Sequence, residues 1–292
     1  MHRAATLESV TGRAASRWRD ALASWAVPDE LVERAGRSPW GHPVSRFAAR
    51  ADLEIGAPSG ASFERAVEGL EEAESAGGAP GSVLDVGAGA GAASLPLLPW
   101  AGAVTAVDTS ADMLAAFSER ADALAARSDG PPVAVRTVLG SWPEVAEDAG
   151  VHDVVVCHHV AYNVGDIGPF LAALTGAARH RVVVEIPPEH PLTWLNPLWL
   201  KFHGLERPHE PTADDLVAVL HELDVRALSV DRWVRLDHDP MTAQERVALV
   251  TRRLCLPEER EPEVAVQLGD EPPVELRRMV TLTWRGAALG TR

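Results

Sequence analysis

The sequence has little cysteine and no long hydrophobic run. Cys157 and Cys255 are the only cysteines in 292 residues, far apart and without the spacing of metal ligands, which excludes a miniature fold held together by disulfides. Since no secretory leader is recognisable, we expect reduced thiols and a cytoplasmic protein. Proline, glycine or charge interrupts each apolar run well before the roughly 20 residues that a membrane span requires, so no membrane association is expected.

Basic residues are also scarce. Lys and Arg number 27 against 42 Asp and Glu, a formal net charge of −15, and no basic stripe suits a phosphate backbone. Nucleic acid is therefore not an expected partner. Hydrophobic residues make up 46% and charged residues 24% of the chain, the proportions of a globular protein with a sizeable core. We expect a monomer or homodimer that acts on a small molecule.

Several motifs of other enzyme classes are missing. The sequence has no Gly-x-Ser-x-Gly elbow and no P-loop, so neither an α/β hydrolase nor a nucleoside triphosphatase has support. Histidine is frequent, but no histidine forms a recognisable pair with cysteine or carboxylate at zinc spacing. No metal is expected.

The first 78 residues predict a helical cap. Helical patterns cover residues 6–25, 28–35 and 62–76, the last opened by Ser62, and segments rich in proline and glycine separate them. The clearest linker is Gly-Gly-Ala-Pro-Gly at 77–81. We therefore divide the chain into a cap, residues 1–78, and a core, residues 79–292.

After this linker, short β-branched runs alternate with helical segments. Continuous apolar runs, typical of strands covered on both faces, occupy residues 83–86, 104–107, 133–138, 154–157 and 182–186. Helices are predicted at 92–98, 112–126, 167–178, 213–223 and 243–254, and two later strands at 225–236 and 279–284. This alternation predicts an α/β fold, a doubly wound, Rossmann-like sheet of seven mostly parallel strands with an N-terminal helical cap.

The sharpest motif is a strand that leads into a glycine-rich turn, Val-Leu-Asp-Val-Gly-Ala-Gly-Ala-Gly at residues 83–91. Because Gly87 and Gly89 lack Cβ atoms, the backbone can turn tightly and a ligand can lie against it. In a doubly wound sheet such a turn lies at the carboxyl edge, near the topological switch point where ligands bind. The motif indicates a ligand that contains a nucleoside.

Two aspartates narrow the choice of nucleoside. Asp85 directly precedes the turn, where a carboxylate would repel a pyrophosphate but attract an ammonium group. Asp108 ends the next strand, in position to accept hydrogen bonds from two ribose hydroxyls. The glycines follow G-x-G-x-G and lack the G-x-G-x-x-G register that docks a dinucleotide phosphate. A ligand with an amino acid at one end and a ribose at the other suits both acids.

These motifs resemble those of the class I S-adenosylmethionine-dependent methyltransferases, over about residues 80–186. The resemblance implies S-adenosyl-L-methionine as cofactor and S-adenosyl-L-homocysteine as product. It places adenine between Met113 and the segment 139–143, where family members often carry an acid at the position of Ser141; Trp142 would compensate by stacking. The implied cofactor-binding residues are Asp85, Gly87, Ala88, Gly89, Gly91, Asp108, Thr109, Met113, Ser141, Trp142 and His158.

Candidate catalytic residues follow the fourth strand. Methyl transfer from a sulfonium depends chiefly on holding the acceptor in line with the methyl group, and a base matters only where the acceptor must lose a proton. His158 and His159 are the candidate bases because an unperturbed imidazole titrates near neutrality; alternatively, one packs on the cofactor and the other faces a loop. Tyr162 and Asn163, which come next, are candidate substrate contacts, with helix packing as the alternative for Tyr162.

An insertion at residues 187–211 is predicted to line the acceptor pocket. Long loops in compact domains are usually functional or disordered, and the aromatic content argues against disorder. Trp40, between Pro39 and Gly41, is the candidate lid from the cap. The candidate substrate contacts of the insertion are His190, Trp194, Trp199 and His203, and for Trp194 and Trp199 core packing is an equally open alternative.

The sequence therefore predicts an S-adenosylmethionine-dependent methyltransferase that acts on oxygen or nitrogen of a small molecule. Two alternatives stay open. One is a nicotinamide-dependent oxidoreductase on a similar Rossmann sheet. The other is a non-catalytic protein of the methyltransferase fold that binds the cofactor.

Overall fold

A seven-stranded sheet forms the centre of the computed structural model, which describes residues 12–35, 39–41, 43–128, 130–237, 241–269 and 275–287. The strands are β1 (Gly81–Val86), β2 (Ala101–Asp108), β3 (Ala134–Leu139), β4 (His152–His158), β5 (Ala178–Ile186), β6 (Ser229–Asp237) and β7 (Glu275–Arg285). The α-helices in these residues are α1 (Arg13–Ala23), α2 (Asp29–Ala35), α3 (Val44–Gly56), α4 (Ala61–Gly77), α5 (Ala111–Ala125), α6 (Ala146–Ala149), α7 (Ile167–Ala177), α8 (Asn196–His203), α9 (Ala213–Glu222), α10 (Ala243–Arg253) and α11 (Glu261–Leu268).

The strand order is β3-β2-β1-β4-β5-β7-β6. Strands β1 to β5 are parallel, and β7 runs antiparallel to both of its neighbours. The predicted fold class is therefore confirmed. The order reverses between β1 and β4, so their carboxyl ends define the switch point at which ligands bind in open α/β sheets.

The prediction that β3 is covered on both faces is wrong. Residues 134–137 are exposed, and only Val138 of the strand is buried. The reason is the position of β3 at the edge of the sheet, which its apolar composition does not reveal.

Two segments also differ in secondary structure from their prediction. Residues 92–98 contain only a 3₁₀ turn at Leu95–Leu97 in place of a helix, because Pro96 lacks a backbone N–H and Pro99 follows directly. The insertion at 187–211, predicted as a loop, contains α8, which has a proline in its first turn and ends at Gly204 in the left-handed conformation.

The helices before residue 78 share their hydrophobic cores with the later chain. Trp18 of α1 packs in the cluster that covers one face of the sheet, together with α7 and α9. Leu70 of α4 packs in the cluster on the other face, against β1, β4 and β5. Helix α3 lies over the glycine turn, where Phe47 and Ala51 pack with Ala90. The predicted linker is short, since α4 ends at Gly77 and β1 begins at Gly81.

None of the described helices combines the length and the hydropathy that crossing a membrane would need. The first predicted helix, residues 6–25, corresponds to α1, and its residues 6–11 lie outside the described residues.

Candidate functional site

The glycine turn after β1 needs glycine for two different reasons. Gly87 and Gly91 have φ angles of 74° and 97°, and a Cβ on Gly87 would lie 2.3 Å from a methyl carbon of Val160. Gly89 has φ 53°, but its added Cβ would meet only Phe47 at 3.8 Å. Close packing therefore excludes a side chain at Gly87, whereas the space beside Gly89 is open to a ligand.

Asp108 ties this turn to the start of α5. Its Oδ2 accepts a hydrogen bond from the Gly89 N–H at 2.9 Å, and its Oδ1 accepts one from the Ser110 N–H at 2.9 Å. Ser110 in turn caps α5 by accepting from the Met113 N–H. Each carboxylate oxygen has capacity for one more donor, so Asp108 can hold its own loop and still receive ribose hydroxyls. Thr109, between these groups, is exposed.

Asp85 lies fully buried beneath the turn. Its Oδ2 accepts a hydrogen bond from the Ser94 hydroxyl at 2.6 Å, and its Oδ1 is buried with no hydrogen-bond partner in the described structure. Burial raises the pKa of Asp85 to about 7, although the bond from Ser94 opposes the shift. The unpartnered oxygen is an acceptor that a cationic ligand group could use.

The end of β3 forms the far side of this region. Gly140 donates its N–H to the Asp108 carbonyl at 3.0 Å, which places the segment 139–143 beside the end of β2. Leu139 is 59% exposed, and Ser141 is exposed as well. Trp142 is buried in the core, with its indole N–H directed to the Phe170 carbonyl at 3.3 Å. Stacking of Trp142 on adenine stays a prediction, and Leu139, which belongs to the segment 139–143 predicted beside adenine, offers an exposed apolar surface.

The two candidate bases have different environments. His158 ends β4, and its Nε2 is buried without a partner in the described structure; burial lowers its pKa to about 4. His159 has a positive φ of 61° and keeps 38% of its side chain exposed. A non-glycine residue in this conformation carries backbone strain, which is concentrated at functional sites.

Glu185 holds His159 in this conformation. The His159 N–H donates to the Glu185 carbonyl at 2.7 Å, and the His159 Nε2 lies 3.2 Å from Glu185 Oε1. Glu185 also accepts a hydrogen bond from the Ser62 hydroxyl. Burial by itself raises the pKa of Glu185, but the two histidines and the hydrogen bonds outweigh it and lower the pKa to about 2. The carboxylate is therefore ionised and positions the imidazole.

Glu185 and its partners were missed at the sequence level. The available signal was a charged residue inside the apolar run 182–186. Ser62 was predicted to open α4, but the N-cap residue is Gly60, and the Ser62 side chain bonds to Glu185 across the sheet edge.

A small cavity of about 40 Å³ lies beside this pair, lined by residues of α3, α4, β4, β5 and β6. Four of its charged side chains form a chain of ion pairs. Arg235 Nη1 lies 3.0 Å from Glu54 Oε1 and 3.7 Å from Glu185 Oε1, and Arg50 Nη2 lies 3.4 Å from Glu54 Oε1. Burial, helped by the charge of Glu185, raises the pKa of Glu54. None of these groups was predicted, because they come from distant parts of the sequence.

Tyr162 and Asn163, both predicted to contact substrate, have different environments. Tyr162 is buried and stacks on Trp18 with ring centroids 5.5 Å apart, and its hydroxyl donates to the Pro187 carbonyl at 3.0 Å. This geometry is that of the packing alternative. Asn163 is exposed at the end of a 3₁₀ turn.

The aromatic residues of the insertion pack mainly against the N-terminal helices and α10. His190 stacks on Trp25 with centroids 3.8 Å apart, Trp199 is buried in a cluster with Leu31 and Leu254, and His203 Nε2 lies 2.6 Å from the Leu254 carbonyl. Within the described residues, none of them lines the cavity beside His159. Their contact with substrate stays a prediction.

The other two tryptophans that were predicted to contact substrate are accessible. Trp194 is 53% exposed and Trp40 is 47% exposed, and the guanidinium carbon of Arg253 lies 5.8 Å from the centre of the Trp40 ring. The described residues contain no group of three or more side chains suited to hold a metal ion.

A family model described as a methyltransferase domain matches residues 83–180, which run from β1 through the glycine turn and Asp108 to the start of β5. The chain carries a methyltransferase domain. This match agrees with the predicted family of class I methyltransferases and with S-adenosyl-L-methionine as the expected cofactor. No curated protein matches the chain.

Several solved structures are similar to this chain. A magnesium protoporphyrin IX methyltransferase from Synechocystis with bound SAH is 16% identical in sequence, and its TM-score is 0.46. The alignment covers 81% of this chain and 93% of the Synechocystis chain. The plantazolicin methyltransferase BpumL in complex with SAH is 11% identical, covers 94% and 100%, and has a TM-score of 0.49. The YcgJ protein from Bacillus subtilis is 15% identical, covers 76% and 99%, and has a TM-score of 0.47. Likenesses of this size carry no information about the acceptor.

Proposed function

We propose that the protein transfers a methyl group from S-adenosylmethionine to an oxygen or nitrogen atom of a small molecule at the cavity beside His159. The observation that carries this proposal is the pair of His159 and Glu185 at the carboxyl ends of β4 and β5. A strained, partly exposed imidazole held by a buried, ionised carboxylate has the arrangement of an oriented general base. Val160, which follows His159 in the chain, packs against Gly87 of the glycine turn.

The residues around the turn fit the cofactor. The open space beside Gly89 admits a ligand against the backbone, and Asp108 has acceptor capacity left for the ribose. Asp85, with one buried oxygen that lacks a donor in the described structure, would serve the ammonium group of the methionine end. Met113 and Ser141 would lie at the adenine.

When bound, S-adenosylmethionine supplies an electrophilic methyl group on a sulfonium. The chain's own part is to orient the acceptor, exclude water and take up a proton. His159 Nε2 bonds to Glu185, so this proton would be accepted at Nδ1. His158 has a pKa of about 4 and is neutral at pH 7, which suits a hydrogen-bonding contact better than proton uptake.

The test measures methyl transfer and cofactor affinity in the same variants. The full chain is incubated with S-adenosylmethionine carrying a labelled methyl group and a library of small alcohols, phenols and amines, and products are identified by mass spectrometry. For an accepted substrate, we expect His159→Gln and Glu185→Gln to lower kcat by roughly 10² to 10⁴-fold, the usual contribution of a general base. Affinity for S-adenosylhomocysteine, measured by calorimetry, should stay unchanged.

His221→Gln is the matched control, because His221 is exposed at the end of α9 and should retain full turnover. Undiminished turnover in His159→Gln would remove the role of the pair. Absence of S-adenosylhomocysteine binding to the wild type would contradict the proposed placement of the cofactor.

A further inference from the structure

Arg235 in β6 has one edge of its guanidinium without a partner. Its Nη1 forms the ion pairs with Glu54 and Glu185 described above. Its Nε and Nη2 are both buried and have no hydrogen-bond partner within the described structure. Arg235 is largely buried, with 13% of its side chain exposed, and it lines the cavity beside His159.

In three other arginines of this protein, the Nε and Nη2 atoms donate to the two oxygens of one carboxylate. Arg65 donates from Nε and Nη2 to the two oxygens of Asp231 at 2.9 and 3.2 Å. Arg120 does so with Asp52 at 2.9 and 3.0 Å, and Arg260 does so with Glu263 at 2.8 and 2.8 Å. The planar fork of Nε and Nη2 matches the geometry of a carboxylate.

Arg235 differs from the other partly buried arginines whose Nε lacks a partner in the described structure. In Arg207 and Arg252 only the Nε is buried without a hydrogen-bond partner, whereas Arg235 leaves the whole Nε–Nη2 edge without one. Buried donors without partners are costly. An arginine with this edge turned away from the protein's own carboxylates is therefore suited to a ligand that completes the pairing.

The surroundings admit a further anionic group. Arg50 and Arg235 bring two positive charges to the cavity, opposite Glu54 and Glu185. The pKa of Glu54 is raised by burial and by Glu185, so this acid is the group that most easily becomes neutral if another carboxylate enters. The Trp233 ring lies 6.0 Å from the guanidinium carbon of Arg235 and forms part of the wall on β6. The cavity of about 40 Å³ exceeds the roughly 10 to 15 Å³ that a single water needs.

We propose that the methyl acceptor is a small carboxylic acid whose carboxylate binds the Nε–Nη2 edge of Arg235. The acceptor's hydroxyl or amino group then lies toward His159, on the same side of the sheet edge. The inference rests on the proposed function, and it names the substrate class of that same cavity.

The test compares carboxylic acids with their own primary amides. A library of small hydroxy and amino acids, each paired with the amide of the same skeleton, is screened by ligand-observed NMR against the full chain saturated with S-adenosylhomocysteine. We expect acids to bind more tightly than their amides, and Arg235→Lys to weaken the acids by about tenfold to a hundredfold, the loss of a bidentate charged hydrogen bond. A lysine keeps the positive charge between Glu54 and Glu185, so the variant removes the fork but not the charge.

Arg260→Lys is the control, because its fork is already occupied by Glu263 on the surface, and it should bind acids like the wild type. A library in which no acid binds better than its amide, or Arg235→Lys with unchanged affinity for the acids, would overturn the inference. Calorimetry with S-adenosylhomocysteine on the same samples separates the two proposals: if the cofactor product binds and acids are not preferred, only the carboxylate inference fails.

Discussion

At the scale of single residues, Asp108 has two roles that the same carboxylate can perform together. It accepts backbone hydrogen bonds from Gly89 and Ser110, which fixes the glycine turn relative to α5. In the proposed complex it also receives the ribose hydroxyls. A substitution therefore affects both the shape of the turn and the direct contact with the cofactor.

We expect Asp108→Ala to weaken the binding of S-adenosylhomocysteine by roughly 1 to 3 kcal/mol, because hydrogen bonds to a charged group are lost. Isothermal titration calorimetry measures the change. Asp112→Asn is the control, since Asp112 is exposed in the first turn of α5 and should bind normally. Equal affinities for Asp108→Ala and the wild type would count against the ribose role.

At the scale of elements, α1 is joined to the layer that covers the sheet mainly through Trp18 and through its N-terminus. Trp18 is 1% exposed, stacks on Tyr162 and donates its indole N–H to the Val164 carbonyl at 2.9 Å. Glu222 of α9 accepts the Ala14 N–H at the start of the same helix. These contacts hold α1 beside the segment that follows His159, so the N-terminal helix supports the site from outside it.

Trp18→Ala should lower the free energy of unfolding by about 3 to 5 kcal/mol, the usual cost of removing a buried tryptophan. Urea denaturation followed by circular dichroism measures it. Trp194 offers a matched control, because its side chain is 53% exposed and its replacement by alanine should change stability by no more than about 0.5 kcal/mol. Similar losses in both variants would show that α1 does not depend on this contact.

At the scale of the whole molecule, the buried Asp85 couples stability to pH. Burial raises the pKa of Asp85 from its ordinary value of 3.8 to about 7. Between these values the folded protein binds the proton and the unfolded chain does not, so the contribution of Asp85 to stability decreases as pH rises. Glu185 and His158 also make stability depend on pH, but their contribution is the same in the wild type and in a variant that changes only Asp85.

The difference between the wild type and Asp85→Asn therefore isolates this effect. We expect the wild type to lose stability relative to Asp85→Asn as the pH rises from about 4 to about 7, with parallel curves at higher pH, because asparagine does not titrate. Urea denaturation at a series of pH values measures both curves. A difference that is constant across this range would show that Asp85 is ionised in the folded protein throughout.

The sequence by itself determined the fold class and the motif at the switch point. Alternating apolar runs and helical patterns depend on neighbours along the chain, and so do the conformations that Gly87 and Gly91 adopt. The position of Asp108 at the end of β2 followed from the same local pattern. Tertiary placement overrode local pattern at β3, whose exposure comes from its edge position.

Only the tertiary structure decided the groups around His159. Glu54, Ser62, Glu185 and Arg235 lie on α3, α4, β5 and β6, and no spacing along the chain links them. They meet although β7 lies between β5 and β6, because α3 brings Glu54 to Arg235 and α4 brings Ser62 to Glu185. The partners that outweigh burial and lower the pKa of Glu185, and the unpaired fork of Arg235, are likewise products of that packing and not of any local segment.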